Sequence, residues 1–198
     1  MHHFREQIEA YIRTNALPVD KYEHQPRLYR LAIHIAQQEQ LTIDDDILHA
    51  AVWLHDIGVF EGHRPEDKDA LAHWDNVKYA CELVPQLLKA WLFPTEKISP
   101  VIHCIEQHLP NIKPDSLEAT ILRDADILEM MGSIALLRQI SKVGRDTRYP
   151  RHSDILPTLE QCFQLQKSLT YKTSRRLAEK KAAVIKVFLD GYHAESFY

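Results

Sequence analysis

A histidine and an aspartate stand side by side at His55-Asp56, directly after the apolar run Ala50-Ala51-Val52-Trp53-Leu54 and shortly before Gly58. An imidazole nitrogen and a carboxylate oxygen make a mixed donor pair for a divalent metal. Adjacent helical residues point about 100° apart, so the two converge on one ion only where their helix ends. Gly58 is expected to supply that end by taking the left-handed C′ conformation. A chain with 12 histidines in 198 residues contains about one His-Asp pair by chance, so the motif needs partners elsewhere.

Candidate partners lie on apolar seams. His24 is in line with Leu28, Leu31 and Ile35 at the start of a helix expected near Pro26; an exposed flanking histidine is the competing reading. His73 shares a stripe with Val77, Ala80 and Val84, and His108 with Val101 and Ile105; each reads equally well as a hydrogen-bonded core histidine. His34 falls off its seam and reads as surface. The stretch from Ala119 to Met131 is apolar on nearly every side, yet it carries Asp124 and Asp126. Buried carboxylates require cations or donors, and periodicity does not choose between these two. Downstream, Arg138, Lys142 and Arg145 form an expected basic stripe on a helix from Ser133, ordinarily a solvated face. The charged stretch from Glu61 to Asp69 reads as a loop lining a polar site; Gly144 to Pro157 reads as a lid or an inert loop.

The elements that must position these groups are helices. With 45% hydrophobic residues and only five glycines, the chain is expected to be mainly α, a single domain over residues 1–198 with its core in about 20–190. A first amphipathic helix spans Phe4 to about Leu17, and Thr42 with Asp45 is expected to form a capping box for the helix leading to His55. Further helices are expected from Leu71 to Val84, from Ser99-Pro100 to Pro110, and after caps at Asp115 and Glu118. Leu87 to Phe93 reads as a short apolar segment, and two closing helices span Leu159 to Leu169 and Arg175 to Leu189 before a frayed tail from Gly191. Cys81, Cys104 and Cys162 are scattered and read as buried thiols of a reducing compartment. The N-terminus lacks a signal-peptide pattern and no run approaches a membrane span, so a cytoplasmic protein is expected. A net charge of −4 and a pI near 6.3 offer no extended nucleic-acid surface. Nothing in the sequence sets the oligomeric state.

Taken in order, His24-x-x-Arg27, His55-Asp56, His73, His108 and Asp126 resemble the HD-domain metal-dependent phosphohydrolases. Asp124-Ala125-Asp126 with Gly132 and Arg138 downstream, and the segment around Leu169-Thr170, Leu177-Ala178 and Phe188-Leu189, look like the small single-domain bacterial branch. The resemblance implies a compact, all-helical HD-domain fold with His24, His55, Asp56 and Asp126 as the metal set. It favours Asp126 over Asp124, and it offers His73 and His108 for a second metal or for phosphate. Two imidazoles and two carboxylates suit Mn²⁺, Fe²⁺, Co²⁺, Ni²⁺ or Zn²⁺, with Mg²⁺ also admitted and Mn²⁺ preferred. The implied activity is hydrolysis of a phosphoester or phosphoanhydride in a nucleotide-like small molecule. Asp56 serves catalysis through the metal, Glu61 or Asp67 takes the proton from water, and Arg27, Arg138 and Lys142 hold phosphate oxygens. Two alternatives have different signatures. A catalytically silent nucleotide-binding or signalling module binds without product, and a purely structural metal site loses stability on chelation.

Overall fold

The computed structural model describes residues 3–18, 21–146 and 148–196. Among these residues there are ten α-helices, short 3₁₀ turns and no strand. The chain packs as two compact units divided between Arg123 and Asp124.

The first unit is assembled on α3, Asp45–Leu54, in which every residue from Leu48 to Leu54 is buried. A helix apolar on all sides needs neighbours all round. It is contacted by α1 (His3–Asn15), α2 (His24–Gln38) and α6 (Thr95–Gln107). Ile8 and Ile12 of α1, Leu28 and Ile35 of α2, and Ile105 of α6 are fully buried. The N-cap of α3 is Asp44, whose carboxylate accepts from the Asp46 and Ile47 N–H groups, so the capping box expected at Thr42 is replaced by a cap two residues later. Arg5 donates to Asp45 and Asp46, and Lys97 to Asp44 and Asp46, tying α1 and α6 to the start of α3.

The helix expected from Leu71 to Val84 is broken in two. The short α4, Lys68–Ala72, is capped by Asp67, and α5, Asn76–Ala90, is capped by Asp75 and absorbs the apolar segment from Leu87 with Pro85 inside it. Pro94 rather than Ser99 precedes α6, which keeps Pro100 within its length. Next comes α7, Leu117–Glu129, in which the Ser116 hydroxyl accepts from the Ala119 N–H. Asp115 binds His103 instead of capping, and the Glu118 carboxylate accepts the Asp44 N–H at 2.7 Å.

In the second unit α10 (Lys172–Glu195) packs on α8 (Gly132–Ile140) and α9 (Leu156–Leu165). Gly132 has φ +76°, where a side chain is strained, and a Cβ there would meet Lys181 at 3.1 Å. Asp124 accepts the backbone N–H groups of Thr170 and Tyr171 at 3.0 Å, capping the start of α10. Because α8 stops at Ile140, Lys142 and Arg145 lie past its end, and the basic stripe expected with Arg138 does not form. The segment from Gly144 to Pro157 contains a 3₁₀ turn at His152–Ile155; its Thr147 lies outside the described residues. The expected frayed tail is helical to Glu195, and residues 197 and 198 lie outside the described part.

Candidate metal centre

Helix α3 ends at Leu54, not through a left-handed glycine. His55 is its C-cap, with helical φ/ψ and an N–H still bonded to the Ala51 carbonyl, and Asp56 leaves the helix at φ −101° and ψ 11°. Gly58 answers a different need. A Cβ there would lie 2.4 Å from the backbone oxygen of Asn76, at the start of α5. Backbone thus packs on backbone behind the His55-Asp56 turn.

His55 is fully buried, and its Nδ1 lies 2.8 Å from the Val52 carbonyl. A carbonyl only accepts, so the ring donates from Nδ1 and Nε2 carries the free lone pair. That Nε2 is buried without a hydrogen-bond partner and 3.7 Å from Asp56 Oδ2. His108, the buried C-cap of α6, repeats the device, with Nδ1 2.6 Å from the Ile105 carbonyl. Each imidazole is oriented by a backbone acceptor with Nε2 presented outward, as in histidines that ligate metals.

His24, the first residue of α2, is buried with Nε2 3.9 Å from Asp56 Oδ2. Ring centroids of His55 lie 5.5 Å from His24 and 5.0 Å from His108. His55, Asp56 and His108 each offer a ligand atom, all within 4.8 Å of one another. Burial alone would raise the pKa of Asp56, but His55, His24, Lys21 and His108 outweigh it and hold the carboxyl well below its usual range. A bare imidazole lone pair beside an ionised carboxylate is a donor set that fits a divalent cation.

The other expected site residues are distributed as follows. Asp126 is buried on α7 within the second unit, where Asp124 is committed to capping α10. Half-buried Arg27 lies 3.5 Å from Glu23, the N-cap residue of α2. Glu61 is exposed and 3.8 Å from Arg64, and Asp67 caps α4. His73 is exposed at the C-cap of α4 and joins no group of potential ligands among the described residues. Arg138 is half-buried on α8, while Lys142 Nζ bonds Gln139 and lies 5.8 Å over the Tyr149 ring. Two residues escaped the sequence reading. His63 Nδ1 lies 2.8 Å from the Ile57 carbonyl, and Trp74 Nε1 donates to the Gly58 carbonyl at 2.8 Å.

A helical unit that presents oriented histidines and an aspartate at a helix end has the build of a metal centre. The sequence matches the HD domain over residues 22–131, more than half its length, and the chain belongs to the HD domain family. Solved structures share the fold. A Lactobacillus plantarum protein is 20% identical with a TM-score of 0.72, covering 100% of this chain and 98% of its own. A predicted HD superfamily hydrolase from an uncultured Thermotogales bacterium is 24% identical with a TM-score of 0.64, covering 96% and 91%. Bacillus subtilis YpgQ in complex with ADP is 20% identical with a TM-score of 0.71, covering 97% and 94%. A search of curated proteins found no match.

Proposed function

We propose that this protein is a divalent-metal-dependent phosphohydrolase acting on a phosphoester or phosphoanhydride bond of a nucleotide-like substrate. The observation that carries the reading is the His55, Asp56 and His108 group, with its oriented imidazoles and the buried, unpartnered Nε2 of His55. YpgQ, which shares the fold, binds ADP, and this supports a nucleotide as ligand. We assign the metal to His24, His55, Asp56 and Asp126, with the buried His108 and the exposed His73 proposed for a second ion or for phosphate. Mn²⁺ suits the mixed nitrogen and oxygen donors.

When bound, such a metal acidifies water and polarises a phosphoryl oxygen. The chain's own groups do the rest. Arg27 grips phosphate oxygens, and Arg138 and Lys142 are assigned the same task. Water attacks phosphorus, a new P–O bond forms, and the leaving oxygen departs with the electron pair of the bond that breaks. Glu61 or Asp67 takes the proton; Asp67 already accepts the Ala70 N–H, so Glu61 is the first choice.

The test is metal content after Mn²⁺ loading and desalting, followed by phosphate or pyrophosphate release from nucleotides. About one ion per chain with turnover is expected. Asp56→Asn should weaken Mn²⁺ binding at least about 100-fold and abolish turnover, with helical circular dichroism unchanged. Full activity in that variant overturns the assignment. Nucleotide binding without product under any metal would instead identify a silent binding module.

A further inference from the structure

The two carbonyls that follow Asp56 are held by ring N–H groups from outside the turn. Ile57 and Gly58 are buried and lie beyond the last turn of α3, where the α-helical ladder has ended; the 3₁₀ turn returns one donor, the Phe60 N–H, to the Ile57 carbonyl at 3.4 Å. Buried carbonyls need partners. Trp74 Nε1–H donates to the Gly58 carbonyl, and His63 Nδ1–H to the Ile57 carbonyl, both at 2.8 Å. His63 is itself fixed, because its Nε2 then accepts from the Tyr11 hydroxyl at 3.3 Å. Tyr79 stands between the two donors, with ring centroids 5.7 Å from His63 and 5.1 Å from Trp74. Behind the turn, Gly58 lies on the backbone of Asn76 with no room for a Cβ. The turn is therefore gripped through its carbonyls and pressed against α5.

From this geometry we infer that His63 and Trp74 are positioning residues for the Asp56 carboxylate. The inference rests on the proposed metal role of Asp56. Among the described residues, neither ring hydrogen-bonds to or stacks on a candidate ligand. Each fixes a peptide plane within two residues of Asp56, so together they set the backbone angles from which its carboxylate is aimed. A ligand displaced by about 0.5 Å loses productive geometry, and supports of this kind typically change metal affinity by about 10–100-fold.

The experiment compares wild type with Trp74→Phe, His63→Phe and His63→Asn. Phenylalanine keeps a ring but removes the donor; asparagine restores an N–H close to the place of Nδ1. Amide hydrogen exchange is followed without metal at Val59 and Phe60, whose N–H groups close the turn onto Asp56 and Ile57. Mn²⁺ affinity is measured separately by electron paramagnetic resonance. Both phenylalanine variants should exchange about tenfold faster at the turn and bind Mn²⁺ at least about tenfold more weakly, with α6 amides unchanged and His63→Asn near wild type. Unchanged exchange and affinity in both phenylalanine variants overturn the inference. Equal loss in His63→Asn and His63→Phe overturns it for His63, since packing rather than the N–H would then matter. Wild type that takes up no Mn²⁺ overturns the metal reading itself, a result distinct from any change in exchange.

Discussion

Gly58 and Asp124 show how one residue type is chosen by its surroundings. Alanine at Gly58 would press its Cβ to 2.4 Å from a backbone oxygen that cannot rotate away. We expect Gly58→Ala to cost about 1–3 kcal/mol in urea unfolding, as overpacking does. Gly62→Ala, with φ +84° but nothing within 4 Å, should cost only about 1–2 kcal/mol of backbone strain. Asp124→Ala should cost about 1–3 kcal/mol, because it strands the Thr170 and Tyr171 N–H groups. A cost near zero at Asp124 would show that water replaces its carboxylate. The two glycine readings differ because a spacing pattern marks where a helix stops without showing which backbone approaches it. The choice between Asp124 and Asp126 was closed to periodicity for the same reason, since both fall in one continuous apolar run.

At the level of elements, the start of α3 is held by charge. Burial alone would raise the Asp46 pKa, but Arg5 and Lys97 outweigh it and keep the carboxyl below its ordinary value. The folded state therefore binds that proton less readily than the unfolded chain. Its contribution to stability is complete above the ordinary carboxylate range and is lost as pH falls through the depressed folded value. Urea midpoints measured from about pH 6 to about pH 2 should fall more steeply in wild type than in Asp46→Asn. Parallel curves would mean that the ion pairs contribute nothing net. This network was not legible in advance, because Arg5 and Lys97 reach α3 from distant positions in sequence. The helices themselves were legible wherever apolar seams were long. Their ends were not: Pro94 and Pro100 compete for the start of α6, and Asp44 stands closer to α3 than Thr42 does.

For the molecule as a whole, a metal that binds only the folded chain stabilises it by mass action. At about 100 times the dissociation constant the gain is about 2.7 kcal/mol. For a chain of this length that corresponds to a rise of roughly 5–11 °C in Tm. Scanning fluorimetry should show this rise with Mn²⁺, its reversal by chelator, and no rise in Asp56→Asn. A shift retained in that variant would place the ion elsewhere. His24, His55 and His108 could be read from the sequence because they sit on seams that become buried. The division after Arg123 could not, since it falls inside one continuous helix, α7, with no linker to mark it. His63 and Trp74 were equally hidden, because they act on main-chain oxygens that no side-chain pattern displays. The indole of Trp74 brings one practical benefit. Its N–H is bonded to the turn that follows Asp56, so the emission of this fluorophore is coupled to that turn. With Trp53 and Trp91 replaced by phenylalanine, the protein would carry its own optical gauge of site occupancy, readable in a cuvette without label or substrate.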